Sequence, residues 1–396
     1  VATPVLTPDA LDASSTSLRS EVRRCESLDA FRALEAQWLA LVAAPDARSP
    51  FTGFDYAALA AARAFANGAT LEVACVYDAH ELVVMWPVSI AREGVLRTAR
   101  HLSCGSGEEY GGPLIKDTRR ADLYAAAVGA IRRIHADVLD VPMLEHGSAL
   151  SYALDAAPRA WAPRWLPERA RVMPGYAIGL RAYVLFDDFL ATRPAAFRSA
   201  LRYSARRLAK TGAVSCSWCT NVEDTQNVLT WLFANKREWA QKRAIDTPYL
   251  LQDDVRDFFL ALAARVDLAC TPLVACVKVD GKPVAASINL VGAQQVEYFI
   301  TTYDEAFSTH SPGNLLVEFV ARWAQEHQLD FDFRPLHGDY KARWSNRQTR
   351  HETRVIVLGL RGRCVEIKLL WAQAKRVARK LTGLISRRAD QVDRVK

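Results

Sequence analysis

Between Val296 and Trp344 the chain gathers most of the residue types that could act on a ligand. A turn of Ser311, Pro312, Gly313 and Asn314 opens directly onto an amphipathic helix beginning with Leu315 and Leu316. The first N–H groups of a helix lack intrahelical partners and its dipole is positive at that end, so the turn suits a phosphate. The helix returns to a short strand over residues 329–333, which contains Asp332, and then to a polar loop with His337, Asp339, Tyr340, Lys341 and Arg343. Charged groups just past a strand end suit chemistry on whatever carries that phosphate. The plainer alternative is a strand–loop–helix–strand unit of any α/β domain.

The elements that would position these groups repeat. Val73, Ala74, Cys75 and Val76 recur as Val274, Ala275, Cys276 and Val277, an offset of 201 residues (274 minus 73). In both places a hairpin follows, then a further strand, a loop, a helix and a closing strand, so the pattern reads as a duplicated α/β module. The first copy has a helix capped by Ser27, a second helix after Pro50, strands over 71–77, 82–90, 95–102 and 138–144, and a helix over 119–136. Its loop over 103–113 is glycine-rich but carries Glu108, Glu109 and Tyr110, and the acidic pair would repel a phosphate. The second copy is preceded by a basic helix over 194–210, in which Arg198, Arg202, Arg206 and Lys210 form one stripe at four-residue spacing. That stripe reads either as a solvated face or as an anion-binding one. Helices over 223–241 and 254–266 follow it.

Composition narrows the classes. At 396 residues, half hydrophobic and a quarter charged, the chain has enough apolar content for two to three globular domains. The expected organisation is a disordered leader over 1–20, an N-terminal module over 21–147, a Pro/Trp-rich linker over 148–175, a C-terminal module over 176–364, and a basic tail over 365–396. No signal peptide is expected in the leader, and no apolar run approaches the roughly 18 residues of a membrane span. The formal charge is +7, and residues 375–396 alone hold eight basic residues against Asp390 and Asp393. The tail could therefore touch a membrane surface or a polyanion, while the nearly neutral body argues against a dedicated nucleic-acid binder. Eight scattered cysteines read as buried, reduced thiols of a cytosolic protein. Cys216 and Cys219 match C-x-x-C without a second pair at zinc spacing, so no metal is expected.

From about residue 31 to residue 360 the chain resembles the CelD/BcsL-type acetyltransferases of the GNAT superfamily, relatives of the FemAB transferases. In the first half the resemblance rests on Ser49-Pro50-Phe51, on Trp86-Pro87-Val88, and on Glu109-Tyr110-Gly111-Gly112-Pro113. In the second it rests on Leu201-Arg202-Tyr203-Ser204 with Arg206, on Ser311-Pro312-Gly313-Asn314-Leu315-Leu316, and on Phe331-Asp332-Phe333 followed by Gly338-Asp339-Tyr340-Lys341-Ala342-Arg343-Trp344.

The resemblance implies a mixed-sheet α/β architecture, two GNAT folds in tandem. It also implies an acyl-CoA co-substrate, acetyl-CoA or a longer homologue, held between splayed parallel strands with its pyrophosphate on residues 311–316. The splayed pair would be 284–291 or 296–303 with 329–333. The glycine-rich first-half loop would be structural or would bind the acceptor. The implied reaction is N-acylation of a small-molecule amine, in particular a saccharide intermediate of envelope or exopolysaccharide synthesis. Such a reaction needs a base for the ammonium and an acid for the departing thiolate. Asp332 and Asp339 are candidates for the base, Tyr340 or Tyr303 for the acid, and Lys341 completes the catalytic set. Arg202, Arg206, Arg343, Tyr303 and Tyr110 are candidates for acceptor binding. A structural alternative pairs Asp332 with Lys341 as an ion pair beneath the loop. Two other functions stay open: a FemAB-like transferase taking aminoacyl-tRNA along the basic stripe, and a non-catalytic accessory protein docking on a polysaccharide synthase.

Overall fold

The computed structural model describes residues 18–43, 53–107, 109–157, 171–245, 248–336 and 338–365. Most of the expected leader, the middle of the expected linker, nearly all of the basic tail, Glu108, His337 and the Ser49-Pro50-Phe51 motif lie outside them.

In the first half, β1 (Leu18–Cys25) leads to α1 (Leu28–Arg32), α2 (Glu35–Val42) and α3 (Phe54–Ala66). The hairpin β2 (Thr70–Asp78) and β3 (Glu81–Glu93) and the strand β4 (Leu96–His101) follow. The short β5 (Leu114–Ile115), α4 (Ala121–Ile131), β6 (Val138–Glu145) and α5 (Ala149–Ala156) complete it. The chain then crosses to β7 (Arg171–Ile178), α6 (Phe186–Ala191) and the basic helix α7 (Ala195–Leu208). The second half repeats the order with β8 (Val214–Trp218), α8 (Val222–Lys242), α9 (Pro248–Leu251) and α10 (Asp254–Ala263). It continues through β9 (Val274–Val279), β10 (Lys282–Val291), β11 (Gln295–Tyr303), α11 (Pro312–Glu326), β12 (Asp330–Pro335), α12 (Asp339–Trp344) and β13 (Arg347–Val357).

One mixed sheet runs through both halves in the order β1-β2-β3-β4-β6-β13-β7-β12-β11-β10-β9-β8, with β5 paired to β3. The order is palindromic in kind. From either edge inward come three antiparallel pairings, then one parallel pairing (β4 with β6, β11 with β12), then one antiparallel pairing (β6 with β13, β12 with β7). The repeated Val-Ala-Cys-Val segments occupy equivalent strands, β2 and β9, so the duplication read from the residues is present in the sheet. Apolar faces of both halves are covered by helices, with α3, α8 and α10 over one shared core and α7 and α11 over another.

The partition between halves differs from the expected boundaries. Residues 149–156 of the expected linker are a helix, and its last residues open the central strand β7. β13, late in the second half, closes the sheet of the first by pairing with β6. Leu18 to Ser20, expected in the leader, are paired with β2. The helix capped by Ser27, whose Oγ accepts from Ala30 N (3.1 Å), is broken after Arg32 into α1 and α2.

The seam between β7 and β13 is tight. A Cβ at Gly175 would lie 2.4 Å from Thr349 Oγ1 and 2.6 Å from His351 Nε2. β13 buries His351, Glu352 and Arg354. Each is satisfied: His351 Nδ1 meets Met143 O (3.0 Å), and Arg354 pairs with Glu352 and with Asp155 (2.6 Å). Beside them, Arg334 of β12 forms a fully buried hydrogen-bonded pair with Glu297 of β11 (2.6 Å). Its guanidinium also lies over the rings of Tyr110 and Phe299, 4.6 and 4.7 Å from their centroids.

Two stability predictions follow from this seam. Gly175→Ala should cost about 1–3 kcal/mol in urea unfolding, because Thr349 and His351 must give way. Burial pushes the Glu297 carboxyl above the usual carboxylate range, against the opposing pull of Arg334. The folded protein then holds a proton that the unfolded chain has released, so stability falls as pH rises from about 5 toward about 8. Glu297→Gln should flatten that slope; an equal slope in variant and wild type would contradict it.

Candidate active site

β11 and β12 are parallel for three residue pairs only: Gln295 with Asp330, Val296 with Phe331, and Glu297 with Asp332. Just beyond, β11 bulges against β10 between Ile288 and Asn289, which adds twist and turns residues 298–303 away from β12. The opening is a cleft of about 490 Å³. Tyr298, Thr301, Thr302 and Tyr303 line it from β11, and Lys236 and Trp239 from α8. Ser308, Ser311, Pro312, Gly313 and Asn314 form the opposite rim, with Tyr340 of α12 beside them. Strand backbone that has lost its sheet neighbour needs other partners. Lys236 Nζ donates to Thr301 O (3.0 Å), and the Tyr298 hydroxyl and Thr301 Oγ1 bond each other (2.8 Å).

Ser311 N–H donates to Ser308 O (3.2 Å) and Pro312 has none, so Gly313 supplies the turn's remaining N–H. Ser311 sits in the left-handed region (φ 51°), and Pro312 takes the first helical position, where a missing N–H costs nothing. Asn314 N–H turns back to Ser311 O (3.0 Å), and its Oδ1 accepts from Trp344 Nε1 (3.1 Å). Trp344 is fully buried and packs edge-on against Phe197 of α7 (4.9 Å, 89°), so one indole ties α7, α12 and the turn together. A side chain at Gly313 would meet Tyr303 only at 3.8 Å, so the lone glycine leaves space over the backbone at the cleft rim.

Of the residues expected at the site, Ser311, Pro312, Gly313, Asn314, Tyr303 and Tyr340 line the cleft together. Leu315 and Leu316 instead pack into the core beneath the turn, so only their backbone belongs to it. Asp332 is not a cleft residue. Its carboxylate accepts from Tyr110 OH (2.8 Å) and Arg334 N (2.6 Å), which clamps the bulge where Arg334 adopts φ 68°. The ion pair with Lys341 is not formed, because Lys341 Nζ donates to Pro335 O (3.2 Å) and Arg334 O (3.4 Å) at the strand end. Asp339 and Arg343 are exposed on α12, outside the cleft lining. Arg202 and Arg206 are exposed on α7 and do not line it either; Arg207 reaches the loop before the turn, at Thr309 O (3.3 Å). Tyr110 is a joint between the halves, with its ring stacked on His351 (5.5 Å, 17°) and its hydroxyl on Asp332. Burial pushes the Tyr340 phenol well above its ordinary range.

The family model described as an acetyltransferase (GNAT) domain matches residues 195–342, from α7 through α12. Residues 195–342 match a GNAT acetyltransferase domain. The first half repeats the strand pattern of the matched half, and the fold is mixed α/β with two GNAT-like units in one sheet. Among solved structures, a conserved protein of unknown function from Bacteroides thetaiotaomicron is similar at 12% identity and a TM-score of 0.51, covering 85% of this chain and all of that one. At this identity the likeness speaks to fold alone. FemX (11% identity, TM-score 0.45, covering 84% of this chain and 96% of that one) is more distant. So is a tandem GNAT protein from the clavulanic acid biosynthesis pathway (13%, 0.44, 86% and 99%). Neither carries weight here. A search of curated protein sequences returned no significant match.

Sequence reasoning missed Lys236 and Trp239. They stand three apart near the end of α8, so they share a helix face, and only the turn of that face toward the splayed strands makes them part of the site. The relocation of Tyr110 gives a direct check. Tyr110→Phe removes a buried hydrogen bond to a carboxylate and should lower stability by about 1–3 kcal/mol, read by urea unfolding, while ligand affinity at the cleft is unchanged.

Proposed function

We propose that the chain is an N-acyltransferase that moves an acetyl or longer acyl group from acyl-CoA to an amine. The observation that supports this best is the cleft itself. It opens between parallel strands that part after three pairs, and the half-buried first turn of the 15-residue helix α11 forms its rim. The Gly313 N–H and the helix dipole behind it would hold the pyrophosphate. The length of the cleft along β11 would take the pantetheine arm. The bound thioester supplies the activated acyl group. Tyr340, set edge-on against Phe333 (5.8 Å, 83°) and lining the cleft, gives its proton to the departing sulfur and takes one back from the attacking nitrogen. Among the described lining residues there is no carboxylate, so the amine enters neutral or sheds its proton to solvent at the cleft mouth. In this reading the acceptor is a saccharide amine of envelope or exopolysaccharide synthesis, supported by the CelD/BcsL-type motifs, and the setting is the cytosol. Among the described helices none is long and apolar enough to cross a membrane.

A second reading is favoured by one observation: Arg202 and Arg206 project from α7 into solvent, as a grip on an aminoacyl-tRNA backbone would require. Binding of tRNA that weakens steeply with salt would favour it.

The test is a melting-temperature and thiol-release screen of acyl-CoAs against amines. Wild type should be stabilised by acyl-CoA and should release thiol with an amine present, and Gly313→Trp should lose both responses by covering the turn. Tyr340→Phe should lower kcat by about 10²–10⁴ with KM nearly unchanged. If no acyl-CoA stabilises the protein or releases thiol, the enzyme reading fails and a scaffold role in polysaccharide synthesis takes its place.

A further inference from the structure

The basic helix α7 flanks the cleft without lining it. Several surface arginines of the second half sit in ion pairs: Arg243 with Glu305 (2.6 Å), Arg256 with Asp257 (2.8 Å) and Arg322 with Asp187 (3.2 Å). The stripe on α7 is different. Arg202, Arg206 and Lys210 are exposed, and among the described residues no carboxylate pairs with them or with Arg207. The side-chain bonds made there go to backbone, from Arg206 Nε to Arg202 O (3.3 Å) and from Arg207 Nη1 to Thr309 O (3.3 Å), so they leave the charge in place. Like charges four residues apart destabilise a helix unless anions face them.

The stripe is tied to the rim of the cleft. α7 packs on α11 and on the 3₁₀ turn Glu305–His310, and the Arg207 contact at Thr309 falls just before Ser311. At the other end of α7, Phe197 meets Trp344, whose indole donates to Asn314 Oδ1 in the turn. Tyr203 shares a helix face with Arg206 and Arg207 and is 57% exposed, with Arg207 over its ring (5.7 Å). An exposed tyrosine among arginines is the composition of a protein-docking patch. The turn itself suits one phosphate: Gly313 supplies its remaining N–H, and Lys236 is the single cation among the described lining residues.

We infer that α7 docks an acidic carrier protein, whose phosphopantetheine arm, with its single phosphate, brings the acyl group over the turn and into the cleft. The inference rests on the acyl-transfer reading and names the partner that presents the donor; acyl-CoA carries the same arm. In the transfer an amide bond forms on the acceptor nitrogen, the carrier's thioester breaks, and the proton lost by nitrogen ends on the arm's sulfur. Charge complementarity selects the partner. From Arg202 to Lys210 the stripe runs about 12 Å, which matches two turns of an acidic helix. A nucleic-acid backbone needs cations spread further, and the body of the chain is nearly neutral.

The experiment is calorimetry on the full chain with four probes: an acyl carrier protein bearing an acetylated arm, its apo form without the arm, acetyl-CoA, and unfractionated tRNA. The acetylated carrier should bind more tightly than either its apo form or acetyl-CoA, and should lose at least about tenfold in affinity between about 50 and about 300 mM salt. Arg206→Glu combined with Lys210→Glu should weaken the carrier at least about tenfold and leave acetyl-CoA within about twofold. If that variant does not fold, Tyr203→Ala is read instead, with the same loss expected. Carrier binding that survives the substitution, or tRNA that binds more tightly than the carrier and displaces it, overturns the inference. Binding of acetyl-CoA without binding of the carrier refutes this inference alone, whereas binding of neither refutes the acyl-transfer reading with it.

Discussion

Two parallel strands that stay hydrogen-bonded for three residue pairs and then diverge impose the main constraint on this protein. The sheet cannot simply end there, because the backbone groups freed on each strand are interior and must find partners. Each half meets the demand differently. In the second half, the bulge in β11 sends the strand outward, Lys236 takes up the Thr301 carbonyl, and the open wedge becomes a cleft with the α11 turn on its rim. In the first half, a loop of two glycines is laid across the wedge, leaving a smaller cavity with aromatic walls. Duplication has thus produced one backbone solution with two different interiors.

What keeps the wedges open is the exchange of strands at the centre. β7 precedes the second half and β13 ends it, yet β13 pairs with β6 and β7 with β12, so the first half closes its sheet only with a strand from the end of the second. Around that exchange sit buried charges, each in a defined pair: Arg334 with Glu297, Asp332 with Tyr110, Arg354 with Asp155. Buried pairs of this kind contribute little net stability against an apolar substitute, but leaving one partner alone is costly. Their effect here is to fix which strand lies beside which. The positive φ values of Arg334 and Met143 mark where the two closing strands bulge toward each other, with Arg334 Nη2 3.5 Å from Met143 Sδ.

Much of this was legible in the residues. The Val-Ala-Cys-Val repeat located equivalent strands, and the Ser-Pro-Gly-Asn turn located the rim of the cleft, because both are local features with a period or a turn chemistry of their own. The central strands were not legible. β13 reads Arg-Gln-Thr-Arg-His-Glu-Thr-Arg before its first apolar pair, and nothing in that order announces a strand buried between two others. Its polar side chains are satisfied by residues up to about two hundred positions away, such as Met143 and Asp155. The same distance hid the role of Asp332, which looked catalytic beside Asp339 and Lys341 but is held by a tyrosine 222 positions away. Lys236 and Trp239 were invisible for a related reason: a helix face acquires meaning only from what it is turned toward.

The central claim, that the wedge between β11 and β12 receives the donor, is tested most directly by hydrogen exchange of the full chain with and without coenzyme A. The account predicts slowed exchange confined to residues 298–303 and 308–316, the two rims of the cleft, with the loop at 109–114 unchanged. Protection centred on that first-half loop, or no protection anywhere at saturating coenzyme A, would contradict it.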